Sequence, residues 1–307
     1  MQIVFFGTPQ FAIPSLKALI ASDNKVLAVV TQVDRRRSRS GHLSPPPVKE
    51  LAISENIRVL QPEKIKDPVF ISELFQLKPD IIVVVAYGKI LPPQILKLPH
   101  FGCINVHASI LPKYRGAAPI QWAIIKGEKE TGVTTMLMNE GLDTGDILMQ
   151  ESLEILESDN SETLSKKLSM KGASLLIKTI EGLKSGSLKP VPQHGMPSYA
   201  PPLKKEDGRI KWDAKAKDIW NFVRGMYPWP GAFSFLKNER IKIINVKPVD
   251  GKSIPGRIEN ISDKLIIGTG EGLIEILELQ PEGKRKMNSK DFIIGRRLKE
   301  GDFFDNI

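Results

Sequence analysis

The sequence is poor in the side chains that hold metals and cross-link chains: 307 residues carry one cysteine and four histidines. A lone Cys103 makes no internal disulfide, and its apolar neighbours Phe101 and Ile104 mark it as a core residue of a protein kept in a reducing compartment. So few thiols and imidazoles also leave little material for a zinc site, and no metal is expected. No stretch approaches the roughly 20 apolar residues of a membrane-spanning helix. The opening Met1-Gln2-Ile3-Val4-Phe5-Phe6-Gly7 has no basic region ahead of its apolar run, so it does not read as a secretory signal. The expectation is a cytoplasmic protein that does not engage a membrane. Also missing is the Gly-x-Gly-x-x-Gly pattern: the first strand ends in Gly7-Thr8-Pro9, so no nicotinamide dinucleotide is expected.

What is present is an ordinary globular composition with a basic balance, net charge +9. That charge is modest evidence for a polyanionic partner. In order, Gln2–Phe6 reads as a buried strand, then a helix from about Gln10 to Ala21, and a second strand from Lys25 to Gln32. A helix near Val48–Glu55, a short strand Arg58–Leu60 and a helix near Pro68–Gln76 follow. Asp80–Ala86 is a continuous β-branched run suited to the centre of a parallel sheet. The pattern predicts an α/β domain whose ligand crevice lies beyond the carboxyl ends of its strands. The loop Tyr87-Gly88-Lys89-Ile90-Leu91-Pro92 belongs to that edge.

Phe101–Ile104 reads as a short buried strand, and Asn105 and His107 alternate with Val106, so both project to one side of an extended chain. An amide donor and an imidazole on one face can serve a carbonyl whose oxygen turns negative, and a carboxylate such as Asp143 can orient the imidazole. Spacing alone favours the plainer reading, a hydrogen-bonded structural pair. Ile120–Lys126 reads as a helix, Thr131–Met138 as the strand that delivers Asp143, and Ser161–Gly182 as a long amphipathic helix capped by Ser161.

The wider string decides between them. Asn105-Val106-His107-Ala108-Ser109-Ile110-Leu111-Pro112-Lys113-Tyr114-Arg115-Gly116, followed by Gly141-Leu142-Asp143-Thr144-Gly145-Asp146, closely resembles the signature of the folate-dependent formyltransferases. Ala108 stands where that family usually has Gly, and Ile110 where it has Leu; neither change removes a polar group. The resemblance implies a Rossmann-like formyltransferase domain, Asn105, His107 and Asp143 as the catalytic trio, and Ser109, Ile110, Leu111 and Pro112 as the lining of a folate site. Tyr87 and Gly88 are expected to complete that slot. The implied donor is 10-formyltetrahydrofolate. The implied reaction is attack of an uncharged amine on the formyl carbon, with neither metal nor covalent intermediate.

Asp34-Arg35-Arg36-Arg37-Ser38-Arg39 opens a Ser/Gly/Pro-rich segment that composition reads as an exposed, mobile loop. In the branch of the family that formylates methionyl-tRNA, the matching loop follows Thr-Gln-Pro-Asp and inserts into tRNA; here Thr31-Gln32-Val33-Asp34 is similar, with Val33 for Pro. By that likeness Arg35, Arg36, Arg37 and Arg39 contact tRNA, and the acceptor is the α-amine of initiator methionyl-tRNA. A formyltransferase acting on a small amine, such as an amino sugar, is the alternative. Residues 188–203, with five prolines, read as a linker between a domain at 1–187 and one at 204–307. The latter shows a helix near Ala216–Arg224 and five short strands, which suggests an OB-like β-barrel for tRNA binding. It holds 21 Lys/Arg against 16 Asp/Glu, clustered at Lys204-Lys205, Lys284-Arg285-Lys286 and Arg296-Arg297. A monomer is expected.

Overall fold

The computed structural model describes residues 1–36, 43–261 and 264–305. Along the first part run β1 (Gln2–Gly7), α1 (Ile13–Ile20), β2 (Lys25–Val30), β3 (Arg35–Arg36), β4 (Leu43–Ser44), α2 (Pro47–Ser54), β5 (Val59–Leu60), α3 (Pro68–Leu77), β6 (Ile81–Val85) and α4 (Pro93–Leu96). Then come β7 (Cys103–His107), β8 (Arg115–Gly116), α5 (Pro119–Ile125), β9 (Glu130–Leu137), β10 (Ile147–Glu154), α6 (Ser161–Lys184) and β11 (Tyr199–Ala200). The helix expected from Gln10 opens instead as a 3-10 turn, Gln10–Ala12, and becomes α-helical at Ile13. Pro14 has no N–H to offer the Gln10 carbonyl, which delays the α-helical pattern by one turn.

Seven strands form one sheet in the order β10-β9-β7-β6-β1-β2-β5. β5, β2, β1, β6 and β7 run parallel, whereas β9 and β10 are antiparallel and close one edge. The chain leaves β1 in one direction for β2 and returns on its other side as β6, the reversal that opens a crevice at the strands' carboxyl ends. All five residues of β6 are buried, as its β-branched run requires of a central strand. The apolar strand before Asn105 begins two residues later than the sequence suggests. Gly102 turns at φ +73°, so β7 starts at Cys103 and itself carries Asn105 and His107.

The long helix α6 lays Leu164, Leu168, Leu175, Leu176 and Ile180 inward at helical spacing. Its cap is Asn160: the Oδ1 accepts from the N–H groups of Glu162 and Thr163, both at 3.0 Å. Ser161, the residue expected to cap, instead donates its buried hydroxyl to the Gly225 carbonyl at 2.5 Å.

The chain divides into two compact units, the second comprising Ile120–Lys129, Ile155–Leu164 and Pro201–Ile307. Its elements are α7 (Ala216–Met226), β12 (Phe233–Leu236), β13 (Glu239–Val249), β14 (Ile258–Asn260), β15 (Leu265–Gly268), β16 (Leu273–Pro281), β17 (Met287–Asn288) and α8 (Ser289–Arg296). The strands form an antiparallel sheet, β12-β13-β16-β15-β14, with β17 beside β16. It curls until both edges meet one segment: Phe304 bridges Leu236 at the end of β12, and Phe303 bridges Arg257 beside β14. This is the barrel-like architecture expected of the region. Trp212, fully buried, plugs it, donating Nε1–H to Ser234 Oγ at 2.9 Å and lying 5.6 Å from the Phe304 ring. The Arg224 guanidinium, stacked 3.9 Å over Trp220, donates to the carbonyls of Leu156, Glu157 and Asp159, which ties the 155–164 segment to α7. Burial lowers the pKa of Arg224, an effect opposed by nearby Asp159 and Glu157.

Candidate active site

β7 ends beside the carboxyl end of β6, with Asn105 opposite Val84, and pairs on its other side with β9, with His107 opposite Thr134. Strand alternation puts Asn105 and His107 on one face. Asp143 arrives on the loop between β9 and β10. The Asn105 Nδ2 lies 3.4 Å from Asp143 Oδ1, and His107 Nδ1 lies 3.7 Å from Asp143 Oδ2. Three residues up to 38 positions apart therefore share one spot at the sheet's edge. His107 is 6% exposed and Asp143 13%.

The hydrogen bonds fix the imidazole's tautomer. His107 Nε2 lies 2.9 Å from the Tyr114 carbonyl, which only accepts, so Nε2 carries the proton. In the neutral ring Nδ1 then holds the lone pair and faces Asp143. The carboxylate is itself held, since Gly116 N–H donates to Oδ2 at 2.8 Å. Asp143 adopts φ +51°, a left-handed conformation that a short polar residue tolerates better than most. Gly116 has φ +119°, and a Cβ there would stand 2.7 Å from the Ala200 carbonyl oxygen, so no other residue fits as the donor.

The 108–116 loop is locked from below. Thr134 Oγ1 donates to the Ser109 carbonyl at 2.7 Å, and it accepts from Leu111 N at 3.1 Å and Gln150 Nε2 at 2.9 Å. Ser109 Oγ, buried, donates to the Lys113 carbonyl at 2.6 Å. Leu111 is buried as well, which leaves Ile110 and Pro112 as the half-buried members of the segment expected to line a folate site.

Tyr87 is placed otherwise than expected. Its ring is 1% exposed, edge-on to Phe6 at 5.1 Å, inside a cluster with Val4, Phe70 and Leu74. Burial pushes its phenol up to about 12, and the hydroxyl has no hydrogen-bond partner among the described residues. What Tyr87 presents at the edge is its carbonyl, which accepts from Gln32 Nε2 at 2.8 Å. Gly88 next to it is an exposed turn residue at φ +81°.

The arginine-rich segment begins as a ribbon, with Arg35 opposite Ser44 and Arg36 opposite Leu43; Arg37 and Arg39 lie outside the described residues. The ribbon's base is pinned. Asp34 accepts from Gln61 Nε2 at 2.8 Å and pairs with Lys49 at 2.8 Å, which together hold its carboxyl below the usual range.

Three participants have no clear signal in the sequence: the Tyr114 carbonyl, Thr134 and Gln193. The first is a backbone atom and the second one of several strand threonines. The third sits in the proline-rich stretch that reads as a linker, yet Gln193 Nε2 donates at 2.8 Å to the carbonyls of both Asp143 and Gly145. Among the described residues no group of three or more His, Cys, Asp or Glu is placed to hold a metal ion.

The chain resembles known proteins over nearly its whole length. A formyl transferase family profile matches residues 1–180, and a formyl transferase C-terminal domain profile matches residues 202–297. The chain is 56% identical over 299 residues to the methionyl-tRNA formyltransferase of Thermodesulfovibrio yellowstonii, covering 97% of each. It is 52% identical to that of Pelotomaculum thermopropionicum, across 98% of this chain and 97% of the other. Among solved structures, an N-formyltransferase from Helicobacter canadensis superposes with a TM-score of 0.69 at 20% identity, over 93% of this chain and 99% of that one. Methionyl-tRNA formyltransferase from Clostridium thermocellum superposes with a TM-score of 0.57 at 20% identity, over 83% of this chain and 96% of that one.

Proposed function

The chain belongs to the formyl transferase family, and from that premise we infer that it formylates methionyl-tRNA, taking the formyl group from 10-formyltetrahydrofolate. The observation that carries this is the meeting of Asn105, His107 and Asp143 at the sheet's edge, in a chain similar to methionyl-tRNA formyltransferases over nearly its whole length. The donor set suits an acyl carbon: one amide able to donate, one imidazole and one oriented carboxylate.

In this reading the formyl donor supplies an activated carbonyl attached to a nitrogen that leaves. Ile110 and Pro112, with the Gly88 turn, are the residues that would hold its ring system; Ser109 and Leu111 shape the loop from within, and Tyr87 from the core. Asn105 donates to the formyl oxygen as it gains charge. His107 spends its Nε2–H on the Tyr114 carbonyl, so its working nitrogen is Nδ1, which in the neutral ring accepts a proton and leaves donation to the formyl oxygen to Asn105. Asp143, fixed by Gly116 N–H, takes the proton of the attacking amine directly or through His107 Nδ1, and that proton passes to the donor nitrogen as its bond to the formyl carbon breaks. Arg35, Arg36, Arg37 and Arg39 contact the tRNA.

Along the sequence we favour a layout of residues 1–187, a segment 188–203 and residues 204–307, with the protein working as a cytoplasmic monomer. By their contacts, Ile120–Lys129 and Ile155–Leu164 group with the last part and residues 188–200 with the first. No helix among the described residues is long and apolar enough to cross a membrane. The test is formylation of charged initiator tRNA beside amino sugars as competing acceptors. Transfer to the sugars and not to the tRNA would overturn the reading.

A further inference from the structure

We propose that Gln193 is a positioning residue for the reaction, and that the proline-rich segment carrying it braces both loops of the active site. This rests on the assignment of Asn105, His107 and Asp143 above. The segment makes bonds that a passive connection would not. Val191 pairs with Ile147 by two backbone hydrogen bonds of 2.9 and 2.8 Å, just beyond the Asp143 loop. Ser198 accepts at Oγ from Tyr114 N and at its carbonyl from Arg115 N, each at 2.9 Å. Tyr199 and Ala200 then pair in parallel with Arg115 and Gly116. Tyr114 supplies the carbonyl that fixes the His107 tautomer, and Gly116 supplies the N–H that holds the Asp143 carboxylate.

Gln193 joins the two sides. Its Nε2 donates to the carbonyls of Asp143 and Gly145, while its Oε1 accepts from Arg115 Nε at 3.1 Å and Nη2 at 2.7 Å. One planar amide thus bonds the loop bearing Asp143 to the loop bearing Tyr114 and Gly116, and uses its donor and acceptor ends differently. A glutamine is required at this spot. A glutamate of the same shape would still accept from Arg115, more strongly as an ion pair, but it has no N–H for the two carbonyls and would set a negative oxygen against them. Asp143, held at φ +51°, is the residue that such a loss displaces. A displacement of about 1 Å at a reacting group can cost on the order of 10²-fold in rate.

The experiment compares full-length Gln193→Glu, Gln193→Met and Asp143→Asn in the tRNA formylation assay, with thermal melts of each. The expected result is that both Gln193 variants lower kcat by about tenfold or more, with KM for each substrate within about twofold. A structural role alone would lower the melting temperature and leave that kcat-against-KM split unmoved. Gln193→Glu at near-normal kcat, beside an inactive Asp143→Asn, overturns the brace and leaves the trio standing. Active Asp143→Asn overturns the trio itself. If Gln193→Glu does not fold, Gln193→Met decides the matter on the same criterion.

Discussion

Asp143 sits in a left-handed conformation, accepts one backbone N–H and faces both Asn105 and His107. Side chains held in this way act through direction more than through bulk, so their truncation leaves the core intact. Asn105→Ala and His107→Ala are each expected to lower turnover by about 10²-fold, the scale of one lost donor to a developing charge, with unchanged circular dichroism. Near-normal turnover in a folded variant would remove that residue from the mechanism. Tyr87 offers the opposite case. Its buried hydroxyl lacks a partner among the described residues, and such a group costs about 1–3 kcal/mol. Tyr87→Phe should therefore raise the melting temperature and leave KM for the formyl donor unchanged; a raised KM would return the phenol to the folate site. Burial also pushes Cys103, like Tyr87, up to about 12. The native state keeps both protons, whereas the unfolded chain releases them from about pH 9 to 10 upward. Unfolded chains then bind fewer protons than folded ones, so stability falls as pH rises from about 9 towards 12. Melts taken between pH 8 and about 11 should show that fall, and a shallower one in Tyr87→Phe.

At the scale of elements, legibility follows periodicity. The all-apolar β6 and the helix α3 are readable because composition and length agree with their burial. So are Asn105 and His107, two residues apart on an extended run, with the wider string to favour chemistry over a structural pair. β10 escapes because its outward half is polar and it lies at the sheet's edge, where pattern is weakest. The 188–200 segment reads as a linker because five prolines in residues 188–203 erase periodicity, and its bonds go to loops that no pattern announces. The start of α6 falls where it is expected, but its cap lies one residue earlier for a local reason: Asn160 and Ser161 are both good caps, and the buried Gly225 carbonyl claims the serine. Asn160→Ala should cost about 1 kcal/mol in a denaturant titration, in the range of lost caps. A cost near zero would mean that Asn160 does not secure the helix start.

For the whole molecule the relevant quantity is charge. Of the net +9, +5 falls in residues 204–307, and four arginines stand in Arg35–Arg39. In the C-terminal unit Arg240 lies 3.8 Å over Phe233, and Lys242 is half-buried with Lys286 and Arg240 near it; burial first, then those two cations, lowers its pKa. Each cation that meets a phosphate displaces a counterion, so binding to tRNA should weaken with salt at a slope set by the number of phosphates neutralised. Replacing Arg35, Arg36, Arg37 and Arg39 by Ser should raise KM for methionyl-tRNA and leave KM for the formyl donor alone, because Asp34, Lys49 and Gln61 hold the base of the ribbon independently. The log-log salt slope should flatten by about one for each phosphate that the variant no longer neutralises. Replacing Lys284, Arg285 and Lys286 by Ser gives the matching measurement for the C-terminal unit. If the arginine variant binds tRNA with unchanged affinity and slope while the lysine-rich variant does not, the loop is a solvated turn, and tRNA recognition rests on the barrel.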